Sequence, residues 1–289
     1  MLLQNVATGL LMGSVYGLVA FGLSLLFGVM KIVNFAHGAL LMVGMYVIYL
    51  FSHLVGIDPY LSAVLGAPLL FVVGYILGML VEPILVRERS TGPVSVLLWT
   101  LGLGLFTINL ALIIFGADYK VVESILSGKT LSIAGLILNV PRLGAAAVSV
   151  ICFVGLYLLL TRTDTGKAMR ATSQDMEAAR MMGIDERKMC RMAFALSTAT
   201  TAIAAGVLVP FYYISPTVGD VFQLKAFVIV VLGGIGTISG SILGGWIVGL
   251  VESLGAQYLN ATYAQMLVFL VFVVILLVRP TGLLGKERE

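Results

Sequence analysis

Charge is what this sequence lacks. Only 11% of its 289 residues are Asp, Glu, Lys or Arg, 60% are hydrophobic, and mean hydropathy is +1.09. A water-soluble domain of this length needs far more polar cover, so the composition excludes one and reads as an integral membrane protein. Alternating polar and apolar runs of about 10 residues, the mark of a membrane barrel, are also missing, so the membrane spans are expected to be helices. The first residues, MLLQNVATGLLMGSVYGLVAFG, lack the basic start and small-residue cleavage site of a secretory signal and are read as a first span. There are two cysteines, Cys152 in an expected span and Cys190 beside a charged run, too far apart in depth to suggest a bridge. The spans hold no paired carboxylates, no Ser/Lys pair and no His-rich set, which leaves no catalytic residues and no metal site to name. His37 and His53, the only histidines, fall near opposite faces. Nothing points to nucleic acid or to a cofactor.

What is present is a series of apolar segments at about 6–29, 38–54, 60–82, 93–116, 142–160, 190–214 and 263–279, with a longer one at 221–256 interrupted by GGIGTISGSILGG. The long segment is one bent pass or two, and basic charge discriminates. With two, Lys31, Arg87, Arg89, the seven basic residues between Thr161 and Arg191, Arg279, Lys286 and Arg288 share one side, 13 against the 4 that remain, Lys120, Lys129, Arg142 and Lys225. With one, the split weakens to 10 against 7. The positive-inside rule therefore selects about nine spans (range eight to ten), with the N-terminus outside and the C-terminus cytoplasmic. A re-entrant turn at 233–245 would keep the same sidedness. Residues 28–47 and 233–251 echo one another, each a helix break at the cytoplasmic half followed by small residues. In this topology both hairpins point the same way, which allows a parallel internal repeat. The expected fold is thus an all-α polytopic bundle, a single transmembrane domain over 1–289 with a cytoplasmic loop at about 161–190.

The run from Thr161 to Arg191 that contains this loop carries 12 of the chain's 31 charged residues. Within it SQDMEAARMMG, residues 173–183, reads as a short helix. Ser173 is placed to cap it, Asp175 and Glu177 sit near its positive end, Arg180 near its negative end, and Gly183 stops it. Glu177 and Arg180 have the spacing of a pair. A helix this short must dock on something, either the membrane surface or a cytoplasmic partner.

Other features divide between packing and function. Gly236, Gly240 and Gly244 repeat every four residues, the pattern that lets helices approach closely in lipid, and Gly74 and Gly78 do the same in the third span. Such a face packs within the subunit, meets a partner or lines a path. Asn34 and His37 in KIVNFAHG mark a helix break, as gating groups at the cytoplasmic end or as caps for the broken backbone, and Asn109 is a polar group at mid-span. Glu82 and Glu252 are expected at solvated interfaces. Ser-Gly-Lys-Thr at 127–130 imitates the tail of a nucleotide loop, but Glu123 stands where that motif needs glycine.

EAARMMG at 177–183 resembles the E-A-A-x-x-x-G core of the cytoplasmic coupling loop of ABC importer permeases, although no I-x-L-P follows Gly183. YGLVAFGLSLLFGVMKIVNFAHGALLMVGMY at 16–46, LKAFVIVVLGGIGTISGSILGG at 224–245 and VRPTGLLG at 278–285 are similar to permeases of branched-chain amino acid ABC transporters, and the resemblance runs from about residue 8 to 285. It looks like the shorter, H-type subunit. The resemblance implies a bacterial cytoplasmic-membrane importer subunit that is not itself an enzyme. It also implies partners: an M-type permease, two ATP-binding subunits and a periplasmic or extracellular solute-binding protein. Glu177, Ala178, Ala179, Arg180 and Gly183 would then transmit motion from the ATPases. Family members handle leucine, isoleucine, valine, other amino acids, urea or amides. The competing expectation is a self-sufficient secondary transporter or channel, which would need ion-coupling residues at mid-membrane.

Overall fold

A computed structural model describes residues 2–88, 94–133 and 135–285; Arg89, Lys286 and Arg288 of the charge argument lie outside them. The chain runs α1 (Leu2–Met30), α2 (His37–Val55), α3 (Pro59–Glu88), α4 (Val94–Phe115), a hairpin of β1 (Thr130–Ile133) and β2 (Leu136–Asn139), then α5 (Val140–Arg162), α6 (Asp164–Gln174), α7 (Met176–Met181), α8 (Glu186–Leu208), α9 (Val218–Gly233), α10 (Ile238–Tyr258) and α11 (Ala261–Val278). Among the described residues eight helices are long and apolar enough to cross a bilayer: α1 to α5, α8, α10 and α11. The ninth segment, α9, has 16 residues, short of the roughly 20 that a full crossing takes.

The long segment 221–256 is therefore two helices. The backbone turns at 234–237, where Gly234 and Gly236 take positive φ of 104° and 77°, and α10 returns antiparallel along α9, with Gly244 against Ile229. Residues 127–130 run from a turn into β1, with no helix behind them to present backbone amides to a phosphate.

α1 is apolar on every side and its middle, from Gly13 to Leu26, is buried throughout, the signature of a central helix. Its main partner is α10. Gly9, Gly13 and Gly17 meet Gly249, Gly245 and Ser241 in antiparallel register, so close that a Cβ at Gly13 would lie 2.7 Å from the Gly245 oxygen. Lipid supplies no hydrophobic drive between helices, so backbone-to-backbone approach of this kind holds them together by dispersion, helped by long-range hydrogen bonds such as that from Ser253 Oγ to the Asn5 carbonyl at 2.8 Å. Trp246 Nε1 donates to Ser14 Oγ at 3.0 Å and Ser24 Oγ donates to the Thr237 carbonyl at 3.2 Å.

α3 packs on α8 as α1 packs on α10, again through glycines: Gly74 meets Phe194 and Thr198, and Gly78 meets Arg191. α9 lies on α1 as α2 lies on α8, and α2 and α9 touch each other. This pattern relates α1–α4 to α8–α11. Gly22 meets Ser197 and Thr200, while Val29 and Met30 line one cleft with Glu186 and Cys190, so α1 and α8 run in opposite directions. The correspondence between the halves is inverted, where the local echo of 28–47 with 233–251 suggested a parallel repeat. That echo compares segments that do not correspond in the packing. Breaks at matching places in two inverted halves are a recurrent transporter arrangement, and here the corresponding helices are α2, of 19 residues, and α9, of 16.

Candidate coupling site and transport path

The loop between α5 and α8 is ordered by three side-chain caps. Thr163 Oγ1 accepts from Gly166 N at 3.1 Å and starts α6. Asp175 Oδ1 accepts from Glu177 N and Ala178 N at 2.9 and 3.0 Å and starts α7. Asp185 Oδ1 accepts from Arg187 N and Lys188 N at 3.0 and 3.2 Å and starts α8. Sequence reading placed the middle cap on Ser173; its hydroxyl instead donates back to the Arg170 carbonyl at 2.7 Å, because a helical residue satisfies itself inside α6. The expected helix is accordingly split in two, and α7 has six residues.

α7 ends in a Schellman motif. Ile184 N donates to Ala179 O and Gly183 N to Arg180 O, both at 3.0 Å, with Gly183 at φ 82°. Ala179 turns inward and is buried, Ala178 is half-buried, and Glu177 and Arg180 point to solvent without pairing to each other. Met181 and Met182, 82% and 83% exposed, form the outer tip. The sequence signal for this tip is the Met-Met pair just before the glycine stop.

Beneath the loop lies an ion cluster that sequence reading missed. Glu82, taken as a solvated residue at a span end, is 4% exposed. Its Oε2 accepts from Arg191 Nε at 2.6 Å, and Oε1 lies 3.4 Å from Arg187 Nε. The cluster ties the end of α3 to the start of α8, and Thr172 and Met176 from the loop help close the cleft beside it.

Asn34 and His37 lie fully inside the protein where α2 begins. Asn34 Oδ1 accepts from Ala36 N at 3.0 Å, and its carbonyl accepts from Gln223 Nε2 at 3.3 Å. His37 Nε2 bonds the Val19 carbonyl at 2.8 Å, and Gln223 Oε1 accepts from Gly38 N at 2.6 Å. The contacts to Ala36 N, Gly38 N and the Asn34 carbonyl serve backbone groups freed by the break between α1 and α2, while His37 ties that break to the middle of α1. Asn109 is elsewhere, on the exposed face of α4, bonded to its own helix through the Leu105 carbonyl. Gly236 sits in the turn ahead of α10, against Gly28, while Gly240 and Gly244 face α9, so the three do not form one helix face.

A family model described as the permease component of branched-chain amino acid transport systems matches residues 5–276. The chain belongs to this family. It is 30% identical to the high-affinity branched-chain amino acid transport system permease protein BraD of Pseudomonas aeruginosa, over 99% of this chain and 96% of that one. It is 29% identical, over the same shares, to the corresponding LivH permease protein of Escherichia coli. A probable LivH of Methanocaldococcus jannaschii is 31% identical over 93% of this chain and 88% of its own length. This family membership makes the protein a multi-pass membrane permease and a transport subunit, not an enzyme.

Proposed function

We propose that this permease forms part of the translocation path of an ATP-driven importer for branched-chain or related small amino acids. In this reading it pairs with a second permease, two ATP-binding subunits drive it, and a solute-binding protein delivers cargo from outside. The observation that carries the reading is α7: a capped six-residue helix with an exposed tip. Its two flanks are anchored through α6 to α5 and through α8 to the Glu82–Arg191 pair. So short a helix has no stability of its own, and a rigid, exposed one is suited to receive a push and pass it to the spans. Glu177, Arg180, Met181 and Met182 would meet the ATPase. Gly183 and Asp175 would hold the helix in shape, and α3 and α8 would carry the motion inward.

The test is to co-express the chain with its genomic neighbours, purify it by a tag and measure ATP hydrolysis with and without leucine-loaded binding protein. Co-purification of a second permease and two ATPases, with stimulated hydrolysis, is expected. A specific observation favours a second reading: Lys225 and Glu252 form a buried ion pair, the kind of group that ion-coupled transporters use. Leucine uptake into vesicles by the chain alone, driven by a proton gradient without ATP, would replace the importer reading with that one.

A further inference from the structure

Lys225 is a costly residue to bury. Only 9% of it is exposed. Its ammonium donates to Glu252 Oε1 and Oε2 at 2.7 and 2.9 Å and to the Tyr16 hydroxyl at 3.1 Å, and it stands 4.4 Å from the centre of the Tyr16 ring. A buried pair of this kind adds little net stability, since desolvation offsets most of the attraction. The packing between α1, α9 and α10 could be met by apolar side chains of the same size. The pair also has an open side. Glu252 keeps 28% of its side chain exposed against 10% for Lys225, and it faces a cavity of about 350 Å³ at the end of the bundle opposite α6 and α7. Arg142, at the start of α5, lines the same cavity, and its Nε is buried without a partner. Met12, Gly249 and Ala256 supply apolar wall.

We propose that this cavity is a transient binding site for a zwitterionic α-amino acid. The solute ammonium is accepted by the free lone pairs of Glu252, its carboxylate by Arg142 with Lys225 behind, and its aliphatic side chain lies on the Met12 and Ala256 wall. Two opposite charges lining one small cavity, Glu252 and Arg142, discriminate. A lone cation meets Lys225 and Arg142, a lone anion meets Glu252, and a zwitterion satisfies both, leaving no buried charge unpaired. The volume falls in the range of roughly 300–1,000 Å³ found for small-molecule sites. The inference rests on the importer reading for the class of cargo.

Its test is protection from labelling. Ala256→Cys, in a Cys152→Ser background, is placed in the assembled transporter in lipid nanodiscs without binding protein, and its alkylation by a small maleimide is timed. Labelling follows the unoccupied fraction, 1/(1 + [L]/Kd), so leucine at about ten times its dissociation constant slows it about tenfold. Neither 4-methylpentanoate, which lacks the ammonium, nor 3-methylbutylamine, which lacks the carboxylate, should protect at the same concentration. Glu252→Gln and Arg142→Gln should each abolish protection by leucine. No protection by leucine, equal protection by either half-molecule, or protection that survives both substitutions would overturn the site. Should a variant fail to assemble, the three probes on the otherwise native complex still decide. ATP-dependent leucine uptake by the native complex is measured beside it: uptake without protection removes the site and keeps the importer, and protection without uptake does the reverse.

Discussion

At the scale of single residues, Gly183 is the sharpest handle on α7 and its proposed coupling role. Nothing lies within 4 Å of where its Cβ would be, so a side chain there fits the space and is opposed only by the backbone at φ 82°. An L-residue in that conformation costs about 1–2 kcal/mol. Asparagine tolerates it far better than a β-branched residue. Gly183→Val is therefore expected to cut ATP-coupled uptake severely while Gly183→Asn retains most of it; equal loss in both would mean that side-chain bulk at the surface, not helix shape, is what matters. Asp175→Ala removes the cap on two amides of α7 and should cost about 1 kcal/mol of local stability, read as faster hydrogen exchange at Glu177 and Ala178. Glu82→Gln weakens a charge-assisted link worth about 1.5–3 kcal/mol, with a lower melting temperature in detergent as the readout.

At the scale of elements, much was legible in advance. Apolar runs and glycine breaks located the long helices, and Gly183 correctly marked the end of α7 because a positive-φ stop is a local event. The cap was misplaced by two residues because Ser173 and Asp175 are both good caps, and only the helix break between α6 and α7 selects one. Glu82 and Glu252 were read as solvated because each one's partner is distant along the chain, 109 residues for Arg191 and 27 for Lys225. A single sequence carries no signal for such pairings. Glycine function was likewise invisible by spacing alone. Gly245 and Gly155 both sit inside helices, yet a Cβ on the first collides with the backbone of Gly13 and Gly17 and one on the second meets nothing. Gly245→Val should therefore prevent a folded, monodisperse protein. Gly155→Ala should leave it intact or raise its stability by up to about 1 kcal/mol. Thermal unfolding of the two variants separates these outcomes.

At the scale of the whole molecule, helix direction alternates from α1 to α5 and again from α8 to α11, so α6 and α7 cap one end and the Lys225–Glu252 cavity opens at the other. If the charge asymmetry sets orientation as expected, Ala256→Cys is labelled by an impermeant maleimide added to spheroplasts, and Met182→Cys only after the membrane is permeabilised. The reverse pattern would invert the transporter and end the importer reading along with it. The polytopic all-α class was plain from composition; the inverted relation between halves was not, because it lies in which helices touch.

The pairing of α1 with α10 also bears on how the protein is made. α1 is made well before α10, and its glycine face waits for a partner that begins at Ile238, more than 200 residues later. Until then that face rests in lipid beside unfinished neighbours, so this contact closes late. A chain truncated before α10 would present a membrane protease with an unpaired central helix, and full length itself becomes the condition for escaping degradation.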